Sequence, residues 1–325
     1  MPPAYTPQAH TPPALTLPRS EAGYPMADLA HATTDPNAAT SGAYRTRGQM
    51  FWREFRRNRG ALVGTAMLTI LVGMVVFAPF VTRYGPIDPN YGARFAPPSS
   101  EHWFGTDRTG RDIFTRVVYG GRISLVVGLV AVGISASLGT LLGLVSGFYG
   151  GWLDNVIMRF MDFVLAMPGI LLAITIVFAL GPSLTNVMIA VGIASMPQYA
   201  RVVRASVLST KQLPYVEAAR ANGAGDASVM GRHILPNVFA PVLVLATLGL
   251  GSAVLSVAAL SFLGLGAAPP TPEWGLLISD GRGVLRRSWW VATFPGLAIM
   301  VTVLAVNLIG DGLRDAMDPR LRGQV

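Results

Sequence analysis

Five long stretches of this 325-residue chain contain no Asp, Glu, Lys or Arg, and they constrain its fold more than any other feature. They are residues 60–82, 123–153, 163–200, 233–272 and 288–310. Each is long enough for the roughly 20 apolar residues that cross a bilayer core. The composition, 51% hydrophobic and 13% charged, agrees with this, because soluble domains carry about 25% charged residues. We therefore expect a polytopic membrane protein rather than a water-soluble enzyme.

Turn residues divide these runs into six expected transmembrane helices, which makes the chain an all-α protein. Gly181, Pro182 and Ser183 interrupt the run from 163 to 200 and predict a tight external hairpin between two spans. The expected spans are residues 60–82, 122–147, 161–180, 184–203, 237–262 and 290–310. Six spans place both ends of the chain on the same side of the membrane.

Three glycines in the second span fall on one helical face. Gly139, Gly143 and Gly147 are four residues apart. Such spacing lets another helix approach closely, but glycine is also common in membrane helices. Both interpretations are open at the level of sequence.

Composition and span positions together divide the chain into four expected regions. They are 1–44, a disordered Pro/Ala/Thr-rich cytoplasmic tail; 45–82, an amphipathic segment with the first transmembrane helix; 83–121, an external loop; and 122–323, a core of five transmembrane helices with a cytoplasmic loop at about 204–236. The tail has few apolar residues to bury, so chain entropy is expected to keep it unfolded.

The basic residues near the spans predict the orientation. Cytoplasmic flanks of membrane proteins are enriched in Lys and Arg. The proposed inner segments carry 15 such residues and the proposed outer segments nine, so both termini are expected in the cytoplasm. The chain would then be a multi-pass protein of the inner (cytoplasmic) cell membrane, in contact with the lipid bilayer. The net charge of +8 is assigned to these flanks, and no nucleic-acid partner is expected.

Missing residue types exclude several kinds of chemistry. The chain has no cysteine, so disulfides and thiolate metal sites are excluded. The apolar runs hold no acid-base pair, and the four histidines lack metal-ligand spacing, so no catalytic residue, metal or cofactor is expected. Lys211, the only lysine, lacks the glycine pattern of a phosphate loop. If ATP powers this chain, another chain must bind the nucleotide.

Two groups of charged residues have local explanations. Asp107 and Asp112 are interpreted as turn and helix-capping residues, with direct substrate contact as the alternative. Asp154, Arg159 and Asp162 are expected at the cytoplasmic membrane surface, where they would be paired or solvated.

The loop between the fourth and fifth spans is the most informative segment. Pro214 suits the first turn of a helix, and Gly223 is a good stop signal. Asp226 is expected to cap a second short helix that runs to His233, before Pro236 opens the next span. The residues alone leave two interpretations: an ordinary connector with an Ala-rich helix, or a helix-turn-helix that sits in the groove of a partner.

A set of residues in this loop has a recognisable spacing. Its members are Glu217, Ala218, Ala219, Gly223, Leu235 and Pro236. The spacing resembles the EAA loop of binding-protein-dependent ABC transporter permeases, with His233 where that family usually has Ile. In the family, this loop contains the coupling helix, which docks into a cleft on the ATP-binding subunit. The resemblance implies that these six residues couple a non-catalytic chain to an ATPase.

Further segments resemble signatures of the dipeptide/oligopeptide branch of that family. They are residues 51–64, 102–125, 147–174, 261–275 and 307–322. The resemblance implies a type I ABC importer permease fold that imports dipeptides or oligopeptides by alternating access. It also implies a second homologous permease subunit, two cytoplasmic ATP-binding subunits and an extracytoplasmic solute-binding protein. The alternatives are a nickel or glutathione-like substrate in the same role, or an ATP-independent secondary carrier. No substrate-binding residue follows from the sequence.

Overall fold

The computed structural model describes residues 47–317, which fold into α-helices joined by loops. In chain order the helices are α1 (Arg47–Arg57), α2 (Arg59–Val76), α3 (Ala78–Val81), α4 (Ile113–Tyr149), α5 (Gly151–Ala166), α6 (Gly169–Leu180), α7 (Leu184–Thr210), α8 (Pro214–Ala221), α9 (Asp226–Ser228), α10 (Leu235–Phe262), α11 (Trp274–Gly281) and α12 (Trp290–Met317). This range contains no β-strand, which confirms the prediction of an all-α chain. The tail predicted at 1–44 and the basic residues Arg320 and Arg322 lie outside the described residues.

Most of the predicted spans correspond to long apolar helices. Four are long and apolar enough to cross a membrane: α2, α4, α12, and the helix that runs from α9 through a π-helical segment into α10. The bent pair α5 and α6 is a fifth candidate. The remaining predicted span corresponds to α7, which is less apolar because it carries Arg201 and Arg204. Since α7 packs against α4, α5, α6 and α10, little of its surface has to face lipid. The count of six spans is thus approximately matched.

The third predicted span, residues 161–180, is not a single straight helix. α5 ends before Met167 and α6 begins after Pro168, and the two helices are bent by 94°. Pro168 has no N–H to donate, and it disfavours helical geometry at Met167, which has φ −95° and ψ 137°. One proline inside a charge-free run therefore divides the predicted third span into two helices.

The second predicted span begins earlier than residue 122. Its helix, α4, starts at Ile113 and includes Arg116 and Arg122. Arg116 is paired with Asp107 at 2.6 Å, and Arg122 donates to two carbonyl groups at the end of α2, at 2.8 and 2.9 Å. Because the end of α2 leaves carbonyls without helical partners, Arg122 stabilises it. The last residues of the predicted external loop, 113–121, and the second span therefore form one continuous helix.

The glycine face of α4 lies directly against α7. A Cβ atom at Gly143 would be 2.4 Å from the carbonyl oxygen of Ala200, and one at Gly147 would be 2.9 Å from Cβ of Val207. A Cβ atom at Gly139 would be 2.5 Å from Cβ of Tyr199. Real Cβ contacts of this length do not occur, so the two backbones can be this close only because the residues are glycine. The close-approach interpretation is confirmed.

The hairpin predicted before α7 is present. Gly181 has φ +90°, a conformation that favours glycine. Ser183 is the N-cap of α7, and its Oγ accepts a hydrogen bond from the N–H of Asn186 at 3.1 Å. α7 then continues to Thr210, beyond the predicted end at residue 203, and leads directly into the loop that carries α8.

Candidate functional site

The EAA-like loop begins as a short helix with a sharp end. Pro214 lies in the first turn of α8. Gly223 follows the helix at φ +80°, and its N–H donates to the carbonyl of Arg220. The N–H of Ala224 donates to the carbonyl of Ala219 at 3.1 Å. This pair of bonds forms a Schellman motif, which satisfies carbonyls at the helix end and requires a left-handed residue. The predicted helix start and stop are confirmed.

The second half of the loop differs from the prediction. Gly225 is the N-cap of α9, and Asp226 lies in the first turn without capping a backbone N–H. The helix that begins with α9 does not end at His233. It continues into α10 through a π-helical segment, in which the N–H of Leu235 donates to the carbonyl of Met230, five residues earlier. Pro236, in the first turn of α10, has no N–H, so the ordinary helical bond is missing there.

α8 is attached to the helix bundle at a few points. Val216 is fully buried in an apolar cluster that includes Phe148 of α4 and residues of α7 and α10. The guanidinium of Arg220 lies over the ring of Phe148, 4.8 Å from its centre. Asn237 of α10 donates from Nδ2 to the hydroxyl of Tyr215 at 2.9 Å. A displacement of α8 would therefore act on the adjoining ends of α4, α7 and α10.

The six predicted coupling residues fall on two adjoining helices. Their positions are Glu217 and Ala218, exposed on α8; Ala219, half-buried on α8; Gly223, exposed after α8; and Leu235 and Pro236, exposed at the start of α10. The sequence did not identify the residues that hold α8 in place, Val216, Tyr215 and Asn237. Only the apolar character of Val216 in a polar loop pointed to an anchor.

Two acidic residues of α5 pair with arginines of α7 near the same end of the bundle. Asp154 accepts two bonds from Arg204, from Nε and Nη2, both at 2.6 Å. Asp162 pairs with Arg201 at 2.6 Å, and both of these side chains are 52% exposed. Of the two expected states, paired or solvated, the structure shows Asp154 and Asp162 paired. Bidentate geometry makes the Asp154 pair the stronger of the two, and it holds α5 against α7.

A buried acidic residue organises the turn before α4. This turn lies at the opposite end of α4 from α8, and the helix between them is about 55 Å long. Asp107 is 1% exposed and accepts hydrogen bonds from Thr109, from Arg111 Nε at 2.7 Å and from Arg116 Nη1 at 2.6 Å. Burial raises the pKa of Asp107, but Arg116 and Arg111 outweigh it and hold the pKa below its ordinary value of 3.8. Asp112 caps α4, as predicted, by accepting a hydrogen bond from the N–H of Thr115, the third residue of the helix, at 2.8 Å.

The loop before α11 is fastened to the same region of α4. Glu273 is fully buried and caps α11 by accepting from the N–H groups of Gly275 and Leu276, at 3.0 and 2.9 Å. Burial raises the pKa of Glu273, and the two backbone donors oppose that rise only in part. The indole N–H of Trp274 donates to the carbonyl of Val117 at 2.8 Å. This end of the bundle is therefore held together by buried polar side chains that cap helices and pair with one another, although Arg116 Nε and Thr115 Oγ1 have no hydrogen-bond partner among the described residues.

A cavity of about 330 Å³, here called the central cavity, lies between α4, α6, α7 and α10. Its polar lining residues are Ser135, Ser195, Gln198, Tyr199, Ser252 and Ser256. No Asp, Glu, Lys, Arg or His is among the lining residues. Residues 47–317 also contain no group of three or more His, Cys, Asp or Glu side chains that could hold a metal ion. The sequence signal for this cavity was a set of polar residues three or four apart on otherwise apolar helices.

Two family models match this chain. Residues 139–323 match the binding-protein-dependent transport system inner membrane component family, and residues 46–98 match the N-terminal TM domain of oligopeptide transport permease C. The chain belongs to the binding-protein-dependent transport system inner membrane component family. The resemblance inferred from the sequence is thereby confirmed, and with its apolar helices this permease is a multi-pass membrane protein. The larger match includes α8 and nearly all of the central cavity.

Curated relatives of this permease are similar over most of their length. The dipeptide transport system permease protein DppC of Alkalihalophilus pseudofirmus is 48% identical over 83% of this chain and 90% of that protein. The di/tripeptide transport system permease protein DppC of Pseudomonas aeruginosa is 45% identical over 88% and 97%. The glutathione transport system permease protein GsiD of Escherichia coli is 48% identical over 86% and 92%. Among solved structures, a chain from the crystal structure of an amino acid ABC transporter with histidines aligns with a TM-score of 0.48 and 17% identity, over 61% of this chain and 92% of that chain.

Proposed function

We propose that this permease is one of two membrane-spanning subunits of an ATP-driven importer of dipeptides or short oligopeptides. A second homologous permease, two cytoplasmic ATP-binding subunits and an extracytoplasmic solute-binding protein complete the assembly. The observation that carries the coupling role is α8, which buries Val216 in the bundle and leaves Glu217 and Ala218 exposed. The names of the relatives from A. pseudofirmus and P. aeruginosa support the peptide substrate.

Coupling proceeds through the contacts of α8. ATP binding closes the ATPase dimer and displaces the α8 helix that is docked on it. Val216 and Arg220 pass the displacement to the end of α4, and the hydrogen bond between Tyr215 and Asn237 passes it to α10. The spans then reorient, and substrate that the binding protein has delivered passes inward. Hydrolysis belongs to the partner chains, since Lys211 lies outside any phosphate-loop pattern.

Glutathione, itself a small peptide, is the second candidate substrate. The relative named for glutathione transport is as similar to this chain, at 48% identity, as the A. pseudofirmus relative named for dipeptide transport. A nickel substrate has less support, because residues 47–317 contain no cluster of metal-ligating side chains. Both peptide substrates use the same uncharged path through this subunit.

Reconstitution tests the proposed function. Proteoliposomes that contain the complete transporter and its binding protein should accumulate labelled dialanine only with internal ATP. Replacement of the phosphate-loop lysine in the ATPase partners should reduce uptake to background. This permease reconstituted alone should be inactive. Accumulation of dialanine by the isolated chain without ATP would instead identify a secondary carrier.

We further propose that α8 and both termini lie in the cytoplasm. Reporter fusions that end after Gly181 or Gly266 should give an extracytoplasmic signal, and a fusion after Asn222 should give a cytoplasmic one. The basic flanks of the spans supply the physical reason. An extracytoplasmic signal from the Asn222 fusion would contradict both the orientation and the docking of α8 on an ATPase.

A further inference from the structure

Four polar side chains in the central cavity have no partner within the described protein. Ser195 and Gln198 lie on α7, and Ser252 and Ser256 lie on α10. None of the four side chains forms a hydrogen bond with another residue in the range 47–317. Gln198 and Ser252 are exposed, and the other two are half-buried. Their hydrogen-bonding groups are therefore available to a solute in the cavity.

Nearby hydroxyls behave differently, which makes the four side chains distinctive. Ser206 of α7 and Thr247 of α10 each donate to the carbonyl four residues earlier, at 2.9 Å. Ser135, on the α4 side of the cavity, does the same at 2.8 Å. This back-bonding is a common way for a hydroxyl to be satisfied within a helix. Ser195, Ser252 and Ser256 are not satisfied in this way.

Helix geometry places the four side chains on two facing surfaces. Ser195 and Gln198 are three residues apart, and Ser252 and Ser256 are four apart, so each pair shares one face of its helix. The start of α6 completes the wall, because the break at Pro168 brings Gly169 to the cavity. The cavity volume is at the lower end of the roughly 300–1,000 Å³ typical of small-molecule sites. It therefore suits a solute of dipeptide size.

The chemistry of the wall matches a peptide backbone rather than its charged ends. A carboxamide or a hydroxyl can both donate and accept, and each peptide bond offers one donor and one acceptor. No lining residue supplies a counter-charge to a terminus or to a charged side chain. Small residues such as Ala173, Ala194 and Gly249 leave room for side chains of different sizes. A transport path needs binding of this weak, tolerant kind, because the solute must leave again.

We propose that the central cavity binds the peptide in transit, with Gln198, Ser195, Ser252 and Ser256 hydrogen-bonded to its amide groups, and that the neutrality of Gln198 and Ser252 lets peptides of either charge pass. This inference rests on the proposed function, since it assumes a peptide substrate. It assigns a solute-binding role within the membrane to this subunit, in addition to recognition by the binding protein.

A charge introduced into the wall should make the path selective. In the reconstituted transporter, initial uptake rates of alanyl-lysine and alanyl-glutamate are measured for the wild type and for Gln198→Glu, Gln198→Arg and Ser252→Asp. The binding protein is the same throughout, so its own preference cancels when each ratio is divided by that of the wild type. Gln198→Glu and Ser252→Asp should raise the ratio of lysine to glutamate peptide about tenfold, and Gln198→Arg should lower it about tenfold.

Reversal of the effect with the sign of the charge separates a binding role from structural damage. Damage to packing would slow all peptides alike and leave the ratio unchanged. Gln198→Met is the matched control, because it keeps the length of the side chain in the central cavity and introduces no charge. It should leave the ratio at the wild-type value.

Two outcomes count against the inference and are distinguishable. If the wild type imports the peptides with ATP but none of the cavity variants changes the ratio, the central cavity is not the path. If the wild-type transporter imports neither these peptides nor dialanine, the proposed function fails, and the inference fails with it.

Discussion

Gly223→Asp is expected to abolish ATP-driven peptide uptake while the chain still inserts into the membrane. Gly223 terminates α8 at φ +80°, and an added Cβ would meet no atom within 4 Å, so the new side chain has space in the permease itself. Under the proposed coupling role, the same position would face the ATPase cleft. A carboxylate buried there without a partner costs about 3–5 kcal/mol, enough to reduce uptake by about 100-fold or more. Dialanine uptake by the reconstituted transporter is the measurement.

Two matched variants isolate the cause of that loss. Gly223→Asn has nearly the same shape, tolerates a left-handed backbone and carries no charge, so it should retain most of the uptake. Gly225→Asp adds the same carboxylate two residues later, at φ −68°, where Asp is a favourable helix N-cap. It should be close to wild type. Normal uptake by Gly223→Asp, with wild-type association of the ATPase, would remove α8 from the coupling role.

Asp107→Ala is expected to destabilise the permease severely. Arg116 is 1% exposed and would lose its 2.6 Å partner, leaving the carbonyl of Pro270 at 3.3 Å and, as the nearest carboxylate, Asp280 at 4.0 Å. Removing one member of a buried ion pair costs about 3–5 kcal/mol, because the remaining charge stays away from water. The midpoint of thermal unfolding in detergent should fall by about 10 °C, measured by size-exclusion chromatography after heating.

The exposed pair on α5 and α7 provides the control for Asp107→Ala. Asp162 and Arg201 form an equally short contact, but both side chains are 52% exposed. Such pairs contribute about 0–1 kcal/mol, so Asp162→Ala should move the midpoint by no more than about 3 °C. If Asp107→Ala and Asp162→Ala lowered the unfolding midpoint equally, the ion pair of Asp107 with Arg116 would not be the stabilising contact of the turn before α4.

Acidification should act on the same carboxylate. Because the pKa of Asp107 is lower in the folded protein than its ordinary value of 3.8, its ionised form stabilises the fold above that pH. This stabilisation is lost as the pH falls below 3.8 towards the folded pKa. The difference in unfolding midpoint between wild type and Asp107→Ala should therefore narrow under those acidic conditions.

The sequence was sufficient where one physical rule dominates. Charge is excluded from a bilayer core, so the charge-free runs located the spans to within one or two helical turns at most ends. A left-handed backbone favours glycine, so Gly181 and Gly223 marked real chain reversals. The four-residue spacing of Gly139, Gly143 and Gly147 indicated close helix packing as one of two interpretations, but it did not identify α7 as the partner.

The sequence was insufficient where the outcome depended on a distant partner or on one residue in an apolar run. The predicted second span excluded Arg116, because only the fold shows that Asp107 neutralises this arginine within the first turn of α4. Pro168 was concealed in a charge-free run and produced a 94° bend. The central cavity depends on how α7 and α10 are rotated about their axes, and periodicity alone does not determine the angle between two helices. Its polar residues, such as Gln198, could therefore not be assigned.

The glycine contact between α4 and α7 limits how this protein can move. Sliding one helix past the other would carry a Cβ atom into the carbonyl of Ala200, so the two must travel as a single rigid body. Left-handed glycines flank the bent segment, Gly150 and Gly151 before α5 and Gly181 after α6. These glycines lie at the two ends of the bent segment; α8 packs near Gly150 through Phe148, and the central cavity adjoins the bend itself at Gly169.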